Sequence, residues 1–435
     1  MAGAPKQRRL RGALWHDGDF LRFWSAQTVS QFGSQVSGLA LPFVAILALR
    51  ATTFEIAALG AIEFAPFALL TLPAGVWVDR MRRRPLMIAA DWGRAVALGS
   101  VPVAWAAGGL TLAQLYVVGF FAGCLTVFFD VAYQSYLPSL VSREHLTEGN
   151  SKLEVSRAAA EVAGPGLAGL LVTAITAPYA VAADAASFAA SALFATRITR
   201  PEAPLPAAEK RLRMSTEIKD GLRYTLRHPL LRPLIAQIGL QNLFNNMVGA
   251  ILVLYAVRGL HLSAAKVGLA FSLGNIGLLV GAPIAGRIAA RFGIGPTLVW
   301  GGFATGCAYL FVAAAPRSLA IPFLALAQFI WSAGAILYFV NGISLIQSIT
   351  PDHMLGRVNA SRRFAVWGVI PLANLCGGAI GARLGLHTAI WIGAVGASLS
   401  IAPLLVSPMH SVRRVEDAEV LVRELNEQFA RSAAS

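Results

Sequence analysis

The sequence has 435 residues, 56% hydrophobic and only 13% charged, with a net charge of +14 and a mean hydropathy of +0.62. Soluble domains carry about 25% charged residues, so this chain lacks roughly half the water-facing side chains a soluble fold needs. That excludes an ordinary soluble enzyme, a disordered chain and a collagen-like one.

The excess of positive charge does not point to nucleic acid. The basic residues sit in short clusters between apolar runs, where they orient a membrane protein. Cys124, Cys307 and Cys376 each lie inside an apolar run, and no HExxH occurs, so no metal site and no cofactor are expected. None of the five lysines, Lys6, Lys152, Lys210, Lys219 and Lys266, follows a glycine, so a Walker A loop is absent. The chain is therefore not its own ATPase, and any transport must draw on a gradient or a partner. Lys6, Arg8, Arg9 and Arg11 begin an arm, residues 1–21, that reads as retained rather than as a cleaved signal.

The apolar runs have the length, about 18–25 residues, that crosses roughly 30 Å of hydrocarbon as a helix. Twelve are predicted, near 22–48, 55–78, 86–107, 112–135, 153–175, 178–197, 231–256, 266–290, 296–315, 319–345, 362–384 and 388–407. The fold class is thus an all-α membrane protein. Residues 22–197 form one six-helix bundle and 231–407 a second, with a linker at 198–230 and a tail at 408–435. The linker places Ile218, Leu222, Tyr224 and Leu226 among Lys219, Arg223 and Arg227, either an amphipathic helix on the inner membrane surface or a solvated linker helix.

Positive residues decide orientation. The N-terminal arm, Arg80, Arg82, Arg83 and Arg84, the linker, Arg357, Arg362 and Arg363, and Arg413 and Arg414 all fall on one side. The opposite loops hold only Arg50, Arg258, Lys266 and Arg317, with Arg383 near a span end. Both termini are expected in the cytoplasm, and the protein in the inner or plasma membrane.

The halves repeat. LRFWSAQTVSQ from Leu21 matches LRPLIAQIGLQ from Leu231, pairing Arg22 with Arg232, Gln27 with Gln237 and Gln31 with Gln241. PAGVWVDRMRRRP from Pro73 aligns with the end of span eight, pairing Gly75 with Gly286 and Arg80 with Arg291 at nearly the same offset. Two such units of one hand imply a substrate path between them near the bilayer midplane.

GVWVDRMRRRP, residues 75–85, is similar to the loop signature Gly-x-x-x-Asp-Arg-x-x-Arg-Arg of the major facilitator superfamily. Ala-Gly-Pro-Gly-Leu-Ala-Gly, residues 163–169, resembles the helix-five motif of exporting antiporters, with Ala168 replacing one glycine. TPDHMLGRVNASRR, residues 350–363, resembles a subgroup with siderophore exporters and macrolide-efflux proteins. The resemblance covers residues 20–408 and implies two pseudo-symmetric bundles that work by alternating access. It also implies a charge relay, Asp79–Arg83–Asp130 with Gly75 and Arg80, that latches the cytoplasmic side, joined by Arg362 or Arg363. Gly75 is expected to let helices approach closely. In span five, Gly164, Pro165 and Gly169 give a bent, smooth face suited to a moving seam. Span four departs from the exporter pattern, because it holds no arginine.

Charges inside a bilayer are expensive and are functional candidates by default. The acids are distributed unevenly: the first half holds Glu63, Asp91, Asp130, Glu161 and Asp184 in its spans, whereas the only Asp or Glu in residues 231 to 407 is Asp352, in a predicted cytoplasmic loop. Asp91 lies three residues before Arg94 and reads as a structural pair. Glu63 and Glu161, with Asp184 nearer the outer half, are the proton-coupling candidates. The second half offers neutral polar groups instead: Asn242, Asn245, Asn246, Asn275, Asn341 and Asn374, with Phe67, Trp331 and Tyr338 as aromatic contacts. Interhelical hydrogen bonding competes for the asparagines.

The expected function is a monomeric secondary transporter exporting a drug-like or secondary-metabolite molecule, with a siderophore or macrolide among the classes, in exchange for protons. An importer of a small nutrient or metabolite, or a non-transporting sensor on the same fold, are the alternatives. Expected partners are the small-molecule substrate, protons and the lipid bilayer, with no nucleic acid.

Overall fold

A computed structural model describes residues 12–78, 80–202, 214–414 and 416–417. Among them are twelve helices long and apolar enough to cross a membrane, and no strand. The first six are α1 (Gly18–Phe43), α2 (Thr53–Val78), α3 (Arg83–Ala106), α4 (Leu112–Leu140), α5 (Leu146–Ile175) and α6 (Ala177–Thr196). A linker helix, α7 (Met214–Arg227), follows. Then come α8 (Leu231–Leu254), α9 (Ala264–Phe292), α10 (Ile294–Ala313) and α11 (Ala320–Ile349). The eleventh span is α12 (Asp352–Arg363), a π-helical turn at Phe364–Gly368 and α13 (Ile370–Leu384). The twelfth is α14 (Leu386–Leu399) with the short α15 (Ala402–Leu405).

Large side chains left outside, such as Leu69, Val96, Val103 and Leu399, would be a liability in water. On a bilayer-spanning helix they are what hydrocarbon requires.

The chain divides into two compact units. The first holds Met1–Thr52, Ile62–Glu209 and Ser263–Ser272; the second holds Thr53–Ala61, Lys210–Leu262 and Leu273–Ser435. Relative to a cut at the linker, two short helix-opening segments are thus exchanged. Inside the first unit, α1 packs on α5 and α6, and α3 packs on α4 and α6. Inside the second, α8 packs on α13 and α14, and α10 packs on α11 and α14. Counted by span, these are the same four pairings, which is the internal repeat expressed as packing.

Charged residues misplace two predicted boundaries. Span five begins at Leu146, not near 153, because Lys152 pairs with Glu148 at 3.4 Å and Arg157 with Glu154, ion pairs at helical spacing that carry the helix beyond its apolar part. Span eleven, predicted from near 362, is preceded by helix from Asp352 onward, so Asp352 opens a helix and does not lie in the expected loop. Backbone hydrogen bonding continues through polar sequence, so an apolar run marks the membrane and not the helix end.

The linker is helical over Met214–Arg227, and Gly221 brings it onto α12: a Cβ there would lie 2.5 Å from the Arg357 carbonyl oxygen.

Candidate functional site

The first unit carries acids in its membrane-spanning helices at several places. Arg94 on α3, 3% exposed, donates to Asp91 on the same helix face. Its guanidinium lies 4.3 Å from the Phe129 ring centroid and 4.0 Å from that of Phe188, and it reaches Thr126 Oγ1 at 3.4 Å. Ser191 Oγ on α6 donates to the second Asp91 oxygen at 2.7 Å. The pair expected from the three-residue spacing is present, and it ties α3 to α4 and α6. The sequence reading missed that a span-three arginine would occupy the side of span four.

Asp184 on α6 is 1% exposed and accepts from Ser187 Oγ at 2.9 Å. Both groups press on α1 at Gly33, where a Cβ would lie 2.4 Å from Asp184 Oδ1 and 1.9 Å from Ser187 Oγ. Asp184 therefore belongs to a helix seam.

Glu161 on α5 is ion-paired with Arg157, which also holds Glu154. Glu63, halfway along α2, is different. Its carboxyl is half-buried and has no hydrogen bond or ion pair among the described residues. Behind it α2 runs against α4, where a Cβ at Gly123 would lie 2.5 Å from the Glu63 carbonyl oxygen. The three proton-coupling candidates thus occupy three different settings, and only Glu63 lacks a polar partner.

Of the relay residues, Asp79 lies outside the described residues. Arg80 is exposed, and the Arg83 amide N–H donates to Glu202 Oε1 at 2.6 Å, where that carboxylate faces the α3 N-terminus. Arg84 anchors the basic cluster instead, donating to the Ala195 and Thr196 carbonyls at 3.0 and 2.6 Å and so capping α6. Asp130 is exposed, with no hydrogen bond to Arg83. Arg362 is half-buried with its Nε unbonded, and Arg363 is exposed. A Cβ on Gly75 would meet nothing within 4 Å, so no close helix approach occurs there among the described residues, contrary to the expectation.

The helix-five motif does make close contacts. A Cβ on Gly164 would lie 2.3 Å from Gln35 Cβ on α1, and one on Gly169 would lie 2.4 Å from the Ala264 carbonyl oxygen. The Pro165 carbonyl oxygen sits where a Cβ on Gly268 would fall, at 2.2 Å, and the Gly166 N–H donates to Ser272 Oγ at 2.8 Å. Small residues let α5 and the opening of α9 touch backbone to backbone. Ser272 carried no signal in the sequence.

In the second unit most asparagines are spent on structure. Asn242, Asn246 and Asn341 donate to carbonyls four residues back, at 2.9, 2.8 and 2.8 Å. Asn275 accepts from Gln328 Nε2 at 2.9 Å, tying α9 to α11, and Asn374 is buried with Nδ2 at 3.0 Å from a Cβ built on Gly60. Unsatisfied buried polar atoms remain at Asn245 Oδ1, Trp331 Nε1 and Tyr338 Oη. Trp331 and Tyr338 share one face of α11, two turns apart. Phe67, in the first unit, stands in ring contact with Phe64 at 5.7 Å. A buried Gln237–Gln241–Thr305 chain was visible in the sequence only as half of the repeat, and Gln237 Oε1 is also unbonded. Among the described residues no cluster of metal-ligating side chains occurs.

The chain resembles the enterobactin exporter EntS of Salmonella choleraesuis (strain SC-B67), 25% identical over 340 residues, 75% of this chain and 73% of that protein. It likewise resembles the multidrug efflux pump Tap of Mycolicibacterium fortuitum, 25% identical over 74% of this chain and 79% of that one. Among solved structures, a bacterial homologue of the iron transporter ferroportin in an inward-facing state superposes with a TM-score of 0.71 at 19% identity. That superposition covers 89% of this chain and 98% of the other, a likeness of fold alone. The model of the Major Facilitator Superfamily matches residues 23–370 and 239–427. With twelve spans and transporter relatives throughout, the chain is a multi-pass membrane transporter, not an enzyme, and belongs to the major facilitator superfamily.

Proposed function

We propose that the protein exports a drug-like or secondary-metabolite molecule from the cytoplasm by alternating access, in exchange for protons, with Glu63 as the group that loads and releases the proton. One observation carries the reading. Glu63 is a half-buried carboxyl in mid-membrane with no partner among the described residues, while Asp91, Glu161 and Asp184 are all engaged. An unpartnered carboxyl exchanges its proton as its surroundings change between wet and dry, whereas an ion-paired one is held charged. The inward proton potential supplies about 2.3 kcal/mol per charge per 100 mV, enough to drive export against a modest gradient.

Asn245, Trp331 and Tyr338 supply the polar side of substrate recognition. Their unbonded buried atoms offer an acceptor, a donor and a hydroxyl beside aromatic surface, suited to an aromatic or amphiphilic molecule without fixed charge. The loop with Asp79, Arg80 and Arg83 latches the cytoplasmic side in this scheme, with Asp130, Arg362 and Arg363 as its partners. Both termini face the cytoplasm, by the distribution of positive residues, and the protein works as a monomer in the cell membrane. The relatives named an exporter and an efflux pump support the outward direction.

The test begins with a growth-inhibition panel in cells with and without the chain. Any hit is then followed in proteoliposomes under an imposed pH gradient. Export should require the gradient, and accumulation unaffected by its sign would overturn the proposal.

A further inference from the structure

Over residues 221–227, the part of α7 whose side chains are described, the helix exposes the wrong residues for one in water. Its inner edge is buried Gly221 and Thr225 with half-buried Tyr224, continued by buried His228 just after the helix. Thr225 is 1% exposed and His228 7%, and Tyr224 packs on the cluster that includes Leu231 and Val358. Its open face carries Leu222 and Leu226, 46% and 53% exposed, with exposed Arg223 and Arg227 beside them. A solvated linker would turn the leucines inward and the threonine outward. The inversion has a reason if the open face meets an interface that is apolar below and anionic above.

We propose that this face of α7 docks on the anionic phospholipid headgroups of the adjoining leaflet. Leu222 and Leu226 enter the headgroup–acyl boundary, and Arg223 and Arg227 hold phosphates. Charge supports this occupant: residues 221–232 contain Arg223, Arg227 and Arg232 and neither Asp nor Glu. Position supports it too, because α7 ends at Arg227 and the next membrane span begins at Leu231. The backbone contact between Gly221 and Arg357 links the docked helix to α12, the extension of span eleven, so anionic lipid would steady that extension.

Hydrogen exchange in the amides of residues 221–230 tests the proposal on the whole protein. It is compared in nanodiscs of phosphatidylcholine alone and of phosphatidylcholine with one-third phosphatidylglycerol. Exchange should be at least about threefold slower with the anionic lipid, from roughly fivefold in lipid affinity per arginine. One-molar salt should remove the difference, as should R223Q/R227Q, whose exposed positions leave the fold intact. Equal exchange in the two lipids, or a difference that survives R223Q/R227Q, would overturn it. Full protection in lipid-free detergent would also overturn it, because the chain itself or another protein would then cover the face. As a mutation-free check, the wild type should retain phosphatidylglycerol over phosphatidylcholine by about threefold in native mass spectrometry, and equal retention counts against the proposal. The readout is lipid contact, so it stands or falls separately from the transport reading.

Discussion

Arg50 and His261, 211 residues apart, share one unusual backbone conformation, with φ of 52° and 57°. Each follows a five-residue π-helical turn, Val44–Ala48 and Tyr255–Gly259. The closing bonds match as well, Ala51 N–H to the Ala45 carbonyl at 2.8 Å and Leu262 N–H to the Ala256 carbonyl at 2.9 Å. The duplication thus reaches individual peptide units. Left-handed conformation costs a non-glycine residue roughly 1–2 kcal/mol. H261G should therefore hold or raise the melting temperature in detergent, while the β-branched H261V should lower it; the same order is expected at Arg50. Equal melting of the two His261 variants would contradict the backbone assignment.

Replacing Glu63 by glutamine removes the one proton-coupling candidate without a polar partner among the described residues. E63Q should abolish pH-driven export, by about tenfold or more, while facilitated exchange of substrate across the vesicle persists. E161Q leaves Arg157 paired with Glu154 and should retain most of the pH-driven rate. If E63Q vesicles export at the parental rate under the gradient, the proton site is elsewhere.

The Asp91–Arg94 pair should behave as a buried structural pair. Removing one member leaves an uncompensated charge away from water, a loss of about 3–5 kcal/mol. D91L and R94M alone should express poorly and unfold early by thermal scanning in detergent. The double variant, with no charge left to bury, should recover part of that loss.

Glycines at tight contacts and in open space should respond differently. G169V places branched carbons against the Ala264 carbonyl and should cost about 1–3 kcal/mol, read as a lower melting temperature. G75A meets nothing within 4 Å and should melt as the parent does. A G75A variant that melts as early as G169V would contradict the open space around Gly75.

His228 lies just before span seven, and burial lowers its pKa from 6.5 to about 4. Its Nδ1 accepts from the Leu230 and Leu231 amides, both at 3.2 Å, so the neutral ring caps α8. A folded-state pKa below the unfolded one gives stability that is complete above pH 6.5 and lost as pH falls toward 4. Detergent-solubilised protein should lose melting temperature across that window, and H228Q, which cannot take up the proton, should lose less.

Much of this was legible because the bilayer leaves little choice. Twelve apolar runs had to be helices, since every backbone group in hydrocarbon must bond within its own segment. The repeat was readable from Gln27/Gln237 and Gln31/Gln241, and the Asp91–Arg94 pair from spacing on one helix face. Helix ends were not readable where a helix runs past its apolar part through polar sequence, carried by ion pairs at Leu146 and by backbone hydrogen bonding alone at Asp352.

The sequence by itself determined the membrane class, the family and the uneven placement of acids between the halves, all properties of composition and order along the chain. Only the tertiary structure decided which polar groups are spent and which remain open. Glu63 and Asp184 look alike as single carboxylates in apolar runs, and Asn245 looks like Asn242. A polar group's availability depends on whether another chain segment brings a partner within hydrogen-bond distance, and that is set by packing across long separations.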